Sequence, residues 1–231
     1  MKSTPKLPQP ISQEARQLIK PYQYIDRQTG EVKNGIKYVE GQPLNIRFNG
    51  QTGRFTRDGQ QDLGPRIEIV PVCFRAFKGS LFGRQPAKYV EVFYVDGQRN
   101  LCVVLFTNAT AENFVKFAAS LYYSDNTQTI TNSRIAISAA VRIRKSDSQR
   151  YHVAEFENLG LASPDAVDAF RAFGLDHKIY RAETRNQPGT ATDVEDGKHS
   201  SLYFPMWGMG VREAAPADAE EARQLQASYT R

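Results

Sequence analysis

Basic and aromatic side chains occur close together at several places in this sequence. Cations neutralise phosphates, and aromatic rings stack on unpaired bases, each stacked base being worth about 1–3 kcal/mol. This combination of residue types predicts a surface that binds single-stranded nucleic acid. The candidate residues are Arg47, Arg54, Phe55, Arg57, Arg75, Phe77, Lys78, Arg84, Lys88, Arg142, Arg144, Lys145, Arg150 and Tyr151.

The rings in this set have a second interpretation. Phe55 and Phe77 alternate with charged residues in β-like runs, and this pattern is equally typical of core rings beside solvated cations. For Tyr151, alternation alone leaves the exposure of the ring undecided. The cationic half of the prediction is therefore separate from the stacking half.

The segment GSLFGRQPAK at residues 79–88 combines two glycines with Arg84 and Lys88. Glycines allow a backbone to approach a phosphate closely. The segment lacks the G-x-x-x-x-G-K-[ST] spacing of a nucleotide-binding loop. Two interpretations follow, a phosphate clamp and a plain connection between strands.

An apolar cluster, YFPMWGMG, lies between polar stretches at residues 203–210 and contains the single tryptophan of the chain. Its composition predicts either a docking motif for a protein partner or a segment that folds back on the body. The residues assigned to partner binding are Tyr203, Phe204, Met206 and Trp207.

Residues that could support catalysis are scattered along the chain. His152, His177 and His199 show no metal-ligand spacing, and Asp165 and Asp168 lack a partnering lysine or histidine. Neither a G-x-S-x-G nor a cysteine–histidine signature is present. We therefore expect a non-enzymatic protein without a metal or another cofactor.

The charge of the chain is unevenly distributed. Residues 1–180 contain 24 Lys/Arg and 17 Asp/Glu, whereas residues 181–231 contain 6 and 8, giving net charges of +7 and −2. A basic body with a mildly acidic tail is typical of proteins that bind a polyanion.

The sequence shows no signal for a membrane. Apolar runs stay below the roughly 18 residues of a membrane span, and MKSTPKLPQP lacks the apolar core of a secretory signal. Cys73 and Cys102 lie in apolar strand-like runs, where thiols are usually buried and reduced. These patterns predict a cytoplasmic protein with no membrane partner.

The predicted elements divide the chain into three parts and give a mainly β (α+β) fold. Residues 1–43 form an N-terminal extension with a short helix at 12–20 and a hairpin. Residues 44–180 form a β-rich domain with two helices, and Ser163 caps the second. Residues 181–231 form a flexible tail that carries the apolar cluster.

The cleanest alternation in the domain is SRIAISAAVRIRK, from Ser133 to Lys145. Alternation in a strand sends successive side chains to opposite faces. The pattern therefore places Arg142 and Arg144 outward. The side chains predicted to face inward are Ile135, Ile137, Ala139, Val141 and Ile143.

Several strands, one helix and a closing hairpin follow one another between Leu44 and Glu157. This order resembles the OB-fold single-stranded DNA-binding proteins of phages and mobile elements. The resemblance implies a five-stranded OB-like barrel with one helix, at residues 110–124, between its third and fourth strands. The parts outside it are N- and C-terminal extensions.

The resemblance implies binding of single-stranded DNA with little sequence preference, in support of DNA replication or recombination. RNA stays open as a partner, because a contact with a 2′-hydroxyl leaves no mark in a sequence. Self-association into a homo-oligomer is also open. The alternative is a non-enzymatic structural or assembly protein of a phage or mobile element whose sheet contacts other proteins.

Overall fold

The computed structural model describes residues 19–125 and 127–185, apart from the side chains of Lys78 and Tyr122. The predicted helix at residues 12–20 falls almost wholly outside this range, and the apolar cluster at 203–210 falls outside it. The described chain is mainly β, as expected. None of its helices is long and apolar enough to cross a membrane.

The described residues form eleven strands, three α-helices and one 3-10 turn. β-Branched and aromatic residues make up most of β8 and β9, because they pack well on a pleated surface. The strands are β1 (Gln23–Ile25), β2 (Val32–Asn34), β3 (Leu44–Asn49), β4 (Arg54–Arg57), β5 (Gln61–Gly64), β6 (Arg66–Ile69), β7 (Pro71–Gly79), β8 (Ala87–Val95), β9 (Leu101–Thr107), β10 (Ser133–Ile143) and β11 (Arg150–Leu161), and the helices are α1 (Asn108–Ser124), α2 (Pro164–Asp176) and α3 (Ala182–Arg185), with the 3-10 turn at Ile130–Asn132.

The larger sheet has six strands in the order β5-β4-β3-β9-β8-β7. It joins two antiparallel meanders through one parallel pair, in which Ile46 of β3 lies opposite Val104 of β9. β8 has a neighbour on each edge and is buried on both faces from Tyr89 to Tyr94, where Glu91 is its one charged side chain.

The smaller sheet has three strands in the order β11-β10-β6. The chain enters it after Pro65 and leaves it at Pro71, so prolines lie at both crossings between the sheets. The sequence places Pro71 at an edge or a bulge, because proline has no N–H for a ladder. This prediction is confirmed, since β7 is an edge strand with a register shift between Pro71 and Cys73.

The main core lies between the two sheets and α1. Ile46, Val104, Phe114 and Ile135 are at most 1% exposed there. A second core lies on the opposite face of β7–β9, where Phe173 of α2 packs with Tyr22 and Val103. The larger sheet is therefore covered on both faces along β7, β8 and β9.

The start of α2 follows the sequence prediction. The Ser163 hydroxyl accepts a hydrogen bond from the Ala166 N–H at 3.2 Å, and Pro164 occupies the first helical position. The start of α1 differs from the prediction of a helix from residue 110, because this helix begins at Asn108, two residues before Thr110. The Thr110 hydroxyl instead accepts the Ala154 N–H at 3.1 Å and ties α1 to β11.

The expected five-stranded OB barrel is not confirmed, because none of the three sheets of the described chain, the two-stranded β1-β2 sheet included, closes on itself. α1 lies between β9 and β10, where the single helix was expected. β10 pairs with β6 on one edge and with β11 on the other, whereas closure would need this hairpin to pair with the meanders. The prolines at both ends of β6 interrupt the ladder that a closed barrel would continue.

The packed body continues beyond residue 180, where the sequence places the start of the tail. Arg181 is 8% exposed and Thr184 is fully buried. The Thr184 hydroxyl donates a hydrogen bond to the carboxylate of Glu91, and the Ala182 N–H donates to the Gly41 carbonyl at 2.9 Å. The packed body therefore includes residues 181–185.

A pair of truncations tests this boundary. We expect a chain that ends at Tyr180 to melt below one that ends at Arg185. The shorter chain loses a hydrogen bond to a charged group, which is worth about 1.5–3 kcal/mol. Thermal melting by circular dichroism measures the difference, and equal melting temperatures would place residues 181–185 outside the body.

Candidate nucleic-acid interface

The β10–β11 hairpin extends beyond the end of β6, the third strand of its sheet. β10 and β11 stay paired to Ile143 and Arg150, whereas β6 pairs only with residues 135–138 of β10. The Ala139 N–H donates to the Pro65 carbonyl at 2.9 Å, and residues 141–150 are all exposed. We call residues 141–152 the arm, since they project beyond the sheet.

The root of the arm is clamped along the outer edge of β11. The His152 N–H donates to the Gly50 carbonyl at 2.6 Å, and its ring Nδ1 lies 3.1 Å from the Gln51 carbonyl oxygen. The Asn113 side-chain amide donates to the Ala154 carbonyl at 3.1 Å. The arm therefore extends from a fixed base.

Gly53 is needed for this clamp. Its φ is +68°, and a Cβ at this position would lie 2.5 Å from Cδ2 of the His152 ring. Real Cβ contacts do not approach that distance. The turn between β3 and β4 therefore admits the His152 ring because residue 53 is glycine.

The arm concentrates the positive charge of the body. Residues 19–185 contain 23 Lys/Arg and 17 Asp/Glu, a net charge of +6. The arm holds four of these cations and one acid, so it carries +3, half of that excess, in 12 residues. Its charged residues are Arg142, Arg144, Lys145, Asp147 and Arg150.

Two of the four arm cations form ion pairs at the surface. Arg144 lies 3.0 Å from Asp147, and Arg142 pairs with Glu155 of β11. A hydrogen bond from the Gln149 N–H, together with the Arg144 charge, lowers the pKa of Asp147. Exposed pairs contribute only about 0–1 kcal/mol, so a phosphate can replace these carboxylates at little cost.

Tyr151 lies on the same face of the arm as Arg142, its direct partner across the ladder. The ring is partly exposed beside a groove of about 240 Å³ between β11, the β3–β4 turn and the start of α1. A second groove of about 260 Å³ lies between β11 and α1 and is lined by Lys116, Phe117 and Arg142. The structure therefore places the Tyr151 ring beside one cation, Arg142, at the root of the arm.

The expectation that Phe55 lies at the surface is wrong. The ring is 0% exposed and packs on Phe48, its partner across the β3–β4 ladder, with ring centroids 4.9 Å apart. Alternation correctly separates Phe55 from Arg54, but it does not tell which side faces the core. Phe55 therefore belongs to the main core and presents no ring to a base.

The expectation for Arg75 is also wrong, because this side chain is only 1% exposed. Arg75 lies opposite Glu91 on the β7–β8 ladder, with 3.7 Å between guanidinium nitrogen and carboxylate oxygen. Its guanidinium carbon lies 4.0 Å from the centre of the Phe77 ring. Burial raises the pKa of Glu91, while the Thr184 hydrogen bond and the Arg75 charge oppose that rise.

The remaining candidates on β4 and β8 are paired with acids. Arg57 lies 2.8 Å from Asp96, and Lys88 lies 2.7 Å from Glu112. Arg54 pairs with Asp62 on β5. Hydrogen bonds from these cations lower the pKa values of Asp62 and Glu112, as expected for ionised partners.

Arg47 and Arg84 are exposed, and Phe77 is half-buried and stacked on Tyr89 at a centroid distance of 5.3 Å. Residues 80–86 connect β7 to β8, so Arg84 lies in a strand connection. Lys78 lies on β7, and its side chain is outside the described part. These residues lie on other elements than the arm, so the set predicted from the sequence divides between several surfaces.

The outer face of the smaller sheet carries charges of both signs. Arg66 lies 3.1 Å from Glu157 and 3.4 Å from Glu68, and Arg134 lies 3.5 Å from Glu68. Two cations and two acids balance each other on this face. This arrangement leaves the arm as the basic extension of the smaller sheet.

No family model, curated protein or solved structure matches the chain. Residues 19–125 and 127–185 contain no group of three or more histidine, cysteine, aspartate or glutamate side chains placed to hold a metal ion. Among the described residues, the geometry and charge of the arm are the features that bear on function.

Alanine substitutions distinguish the core ring from the arm ring. We expect Phe55→Ala to lower the free energy of unfolding by about 3–5 kcal/mol, because it empties a fully buried site. Tyr151→Ala should cost about 1 kcal/mol or less, since its ring is partly exposed. Chemical denaturation measures both values, and a Phe55→Ala protein as stable as the parent would contradict the core assignment.

The buried pair predicts a second stability effect. Arg75→Ala should lower the free energy of unfolding by about 3–5 kcal/mol, because it leaves the Glu91 carboxylate buried without its cation. Replacing both partners in an Arg75→Met, Glu91→Leu protein should cost much less than this single change. Urea denaturation compares the two, and the opposite order of stabilities would contradict the assignment.

Proposed function

We propose that this protein binds single-stranded DNA through the arm, with little preference for sequence. The observation that carries the proposal is the placement of four cations and one acid on a ribbon whose residues 141–150 are all exposed. Because the arm projects, the sugar-phosphate backbone of a flexible single strand can reach its cations from several directions. Its root is fixed by the His152 and Ala154 hydrogen bonds, so binding need not order the ribbon itself.

The chemistry of binding divides into two parts. Arg144, Lys145 and Arg150 neutralise phosphates and release their counterions. Tyr151 supplies a ring beside the groove, on which one base stacks. Neither contact reads the edge of a base, so the proposal includes no sequence specificity, and support of replication or recombination is the role that fits such binding.

Single strands are favoured over duplexes because a base must be unstacked to reach the Tyr151 ring. A duplex would offer the arm only its phosphates. Binding to oligo-dT and oligo-rU of equal length compares DNA with RNA, since the two strands differ in the 2′-hydroxyl group.

Removing the arm cations should weaken binding in a salt-dependent way. We expect the Arg144→Ala, Lys145→Ala, Arg150→Ala protein to bind oligo-dT more weakly at low salt. The slope of log K against log salt should become shallower by about 2, because about 0.7 counterion is released for each neutralised phosphate. Fluorescence anisotropy at several salt concentrations measures both quantities.

A matched control removes the same charge elsewhere. Lys37, Arg171 and Lys178 are exposed and lie outside the arm, and replacing them by alanine also lowers the net charge by three. This control should bind nearly as well as the parent. Equal losses of affinity in both variants would show that binding depends on the overall charge of the protein and not on the arm. Absence of binding by the parent at low salt would favour the alternative function, a structural or assembly protein.

A further inference from the structure

Two aliphatic side chains of the arm are exposed although their alternation predicts burial. Val141 is 53% exposed and Ile143 is 62% exposed. Both lie on the face of β10 that carries Ile135 and Ile137 in the main core. The expectation that Val141 and Ile143 point into the core is therefore wrong.

Val141 and Ile143 are exposed because the β10–β11 hairpin is longer than β6. β6 lies beside β10 only as far as Arg66, opposite Ser138, and beyond the Ala139–Pro65 hydrogen bond β11 is the single strand that the described chain places beside β10. The alternation continues past the end of the core. Adjacent aliphatic side chains on one projecting face suggest a contact surface, whereas scattered exposed residues would need no explanation.

The charges around this face indicate what it contacts. Ile143 lies opposite Arg150 on the ladder, and Arg144 and Lys145 follow directly. A second copy that paired through the same face would bring these cations against their own counterparts, and like charges at close range repel. An occupant that is apolar in its centre and anionic at its borders fits better, and a nucleobase between its phosphates has that character.

We infer that the Val141–Ile143 face contacts unstacked bases, while the neighbouring cations hold the flanking phosphates. This inference rests on the proposed function and adds a second base contact to it. Tyr151 points to the opposite face of the ribbon, because it pairs with Arg142 and not with Val141. The arm then presents base-contacting groups on both faces, with Arg142 on the Tyr151 face, Arg150 on the Val141–Ile143 face, and Arg144 and Lys145 towards the tip.

The test compares oligo-dT with an abasic oligonucleotide of the same length, which has phosphates but no bases. The variant is Val141→Thr, Ile143→Thr, because threonine keeps the β-branched shape that suits a strand. The parent should prefer oligo-dT. In the variant this preference should fall at least about fourfold, the effect of losing one buried methyl group, while abasic binding is unchanged.

A matched control is available in the same chain. Val32 and Val39 are 53% and 63% exposed, close to the values for the arm pair. A Val32→Thr, Val39→Thr protein should keep the full preference of the parent. Melting curves of both variants confirm that the fold is retained.

The outcomes separate the inference from the proposed function. An unchanged preference in the arm variant, with both oligonucleotides bound, would overturn the base contact and leave the proposed function standing. Absence of binding to either oligonucleotide by the parent would overturn both. If sedimentation shows that the parent is a dimer and the arm variant is a monomer, the Val141–Ile143 face pairs with a second copy, and the inference is overturned.

Discussion

The antiparallel ladder between β10 and β11 is the interaction on which the candidate site depends. It pairs ten residues of each strand and continues past the end of β6. At one end its side chains fill the main core, where Ile135 and Ala154 are fully buried. At the other end the same ladder holds the arm cations in solvent. The core therefore anchors the site through a ladder whose register is regular from Ile135 to Ile143.

The buried ion pair shows how the remaining charge is used. Arg75 and Glu91 lie on adjacent central positions of β7 and β8, and Thr184 of α3 closes over them. A cation in this place belongs to the body and has no access to a ligand. Because the pair contains one charge of each sign, it leaves the net charge of residues 19–185 at +6, half of which the arm carries.

The sequence predicts most strands, the Ser163 cap of α2 and the bulge at Pro71, because alternation, capping and proline are local effects. It does not predict which face of a strand is covered, since that depends on distant partners. For this reason the sequence predicts Phe55 and Arg75 at the surface, whereas both are buried. It predicts Val141 in the core, because alternation does not reveal where the neighbouring strand β6 ends.

The central claim is that the arm carries the binding of single-stranded DNA. Replacing residues 143–150 by Asn-Gly would close the hairpin at the Arg142–Tyr151 pair with a two-residue turn and leave the His152 clamp in place. Anisotropy of labelled oligo-dT at low salt should then show affinity at least about tenfold weaker, with an unchanged melting temperature. Affinity equal to that of the parent would contradict the account.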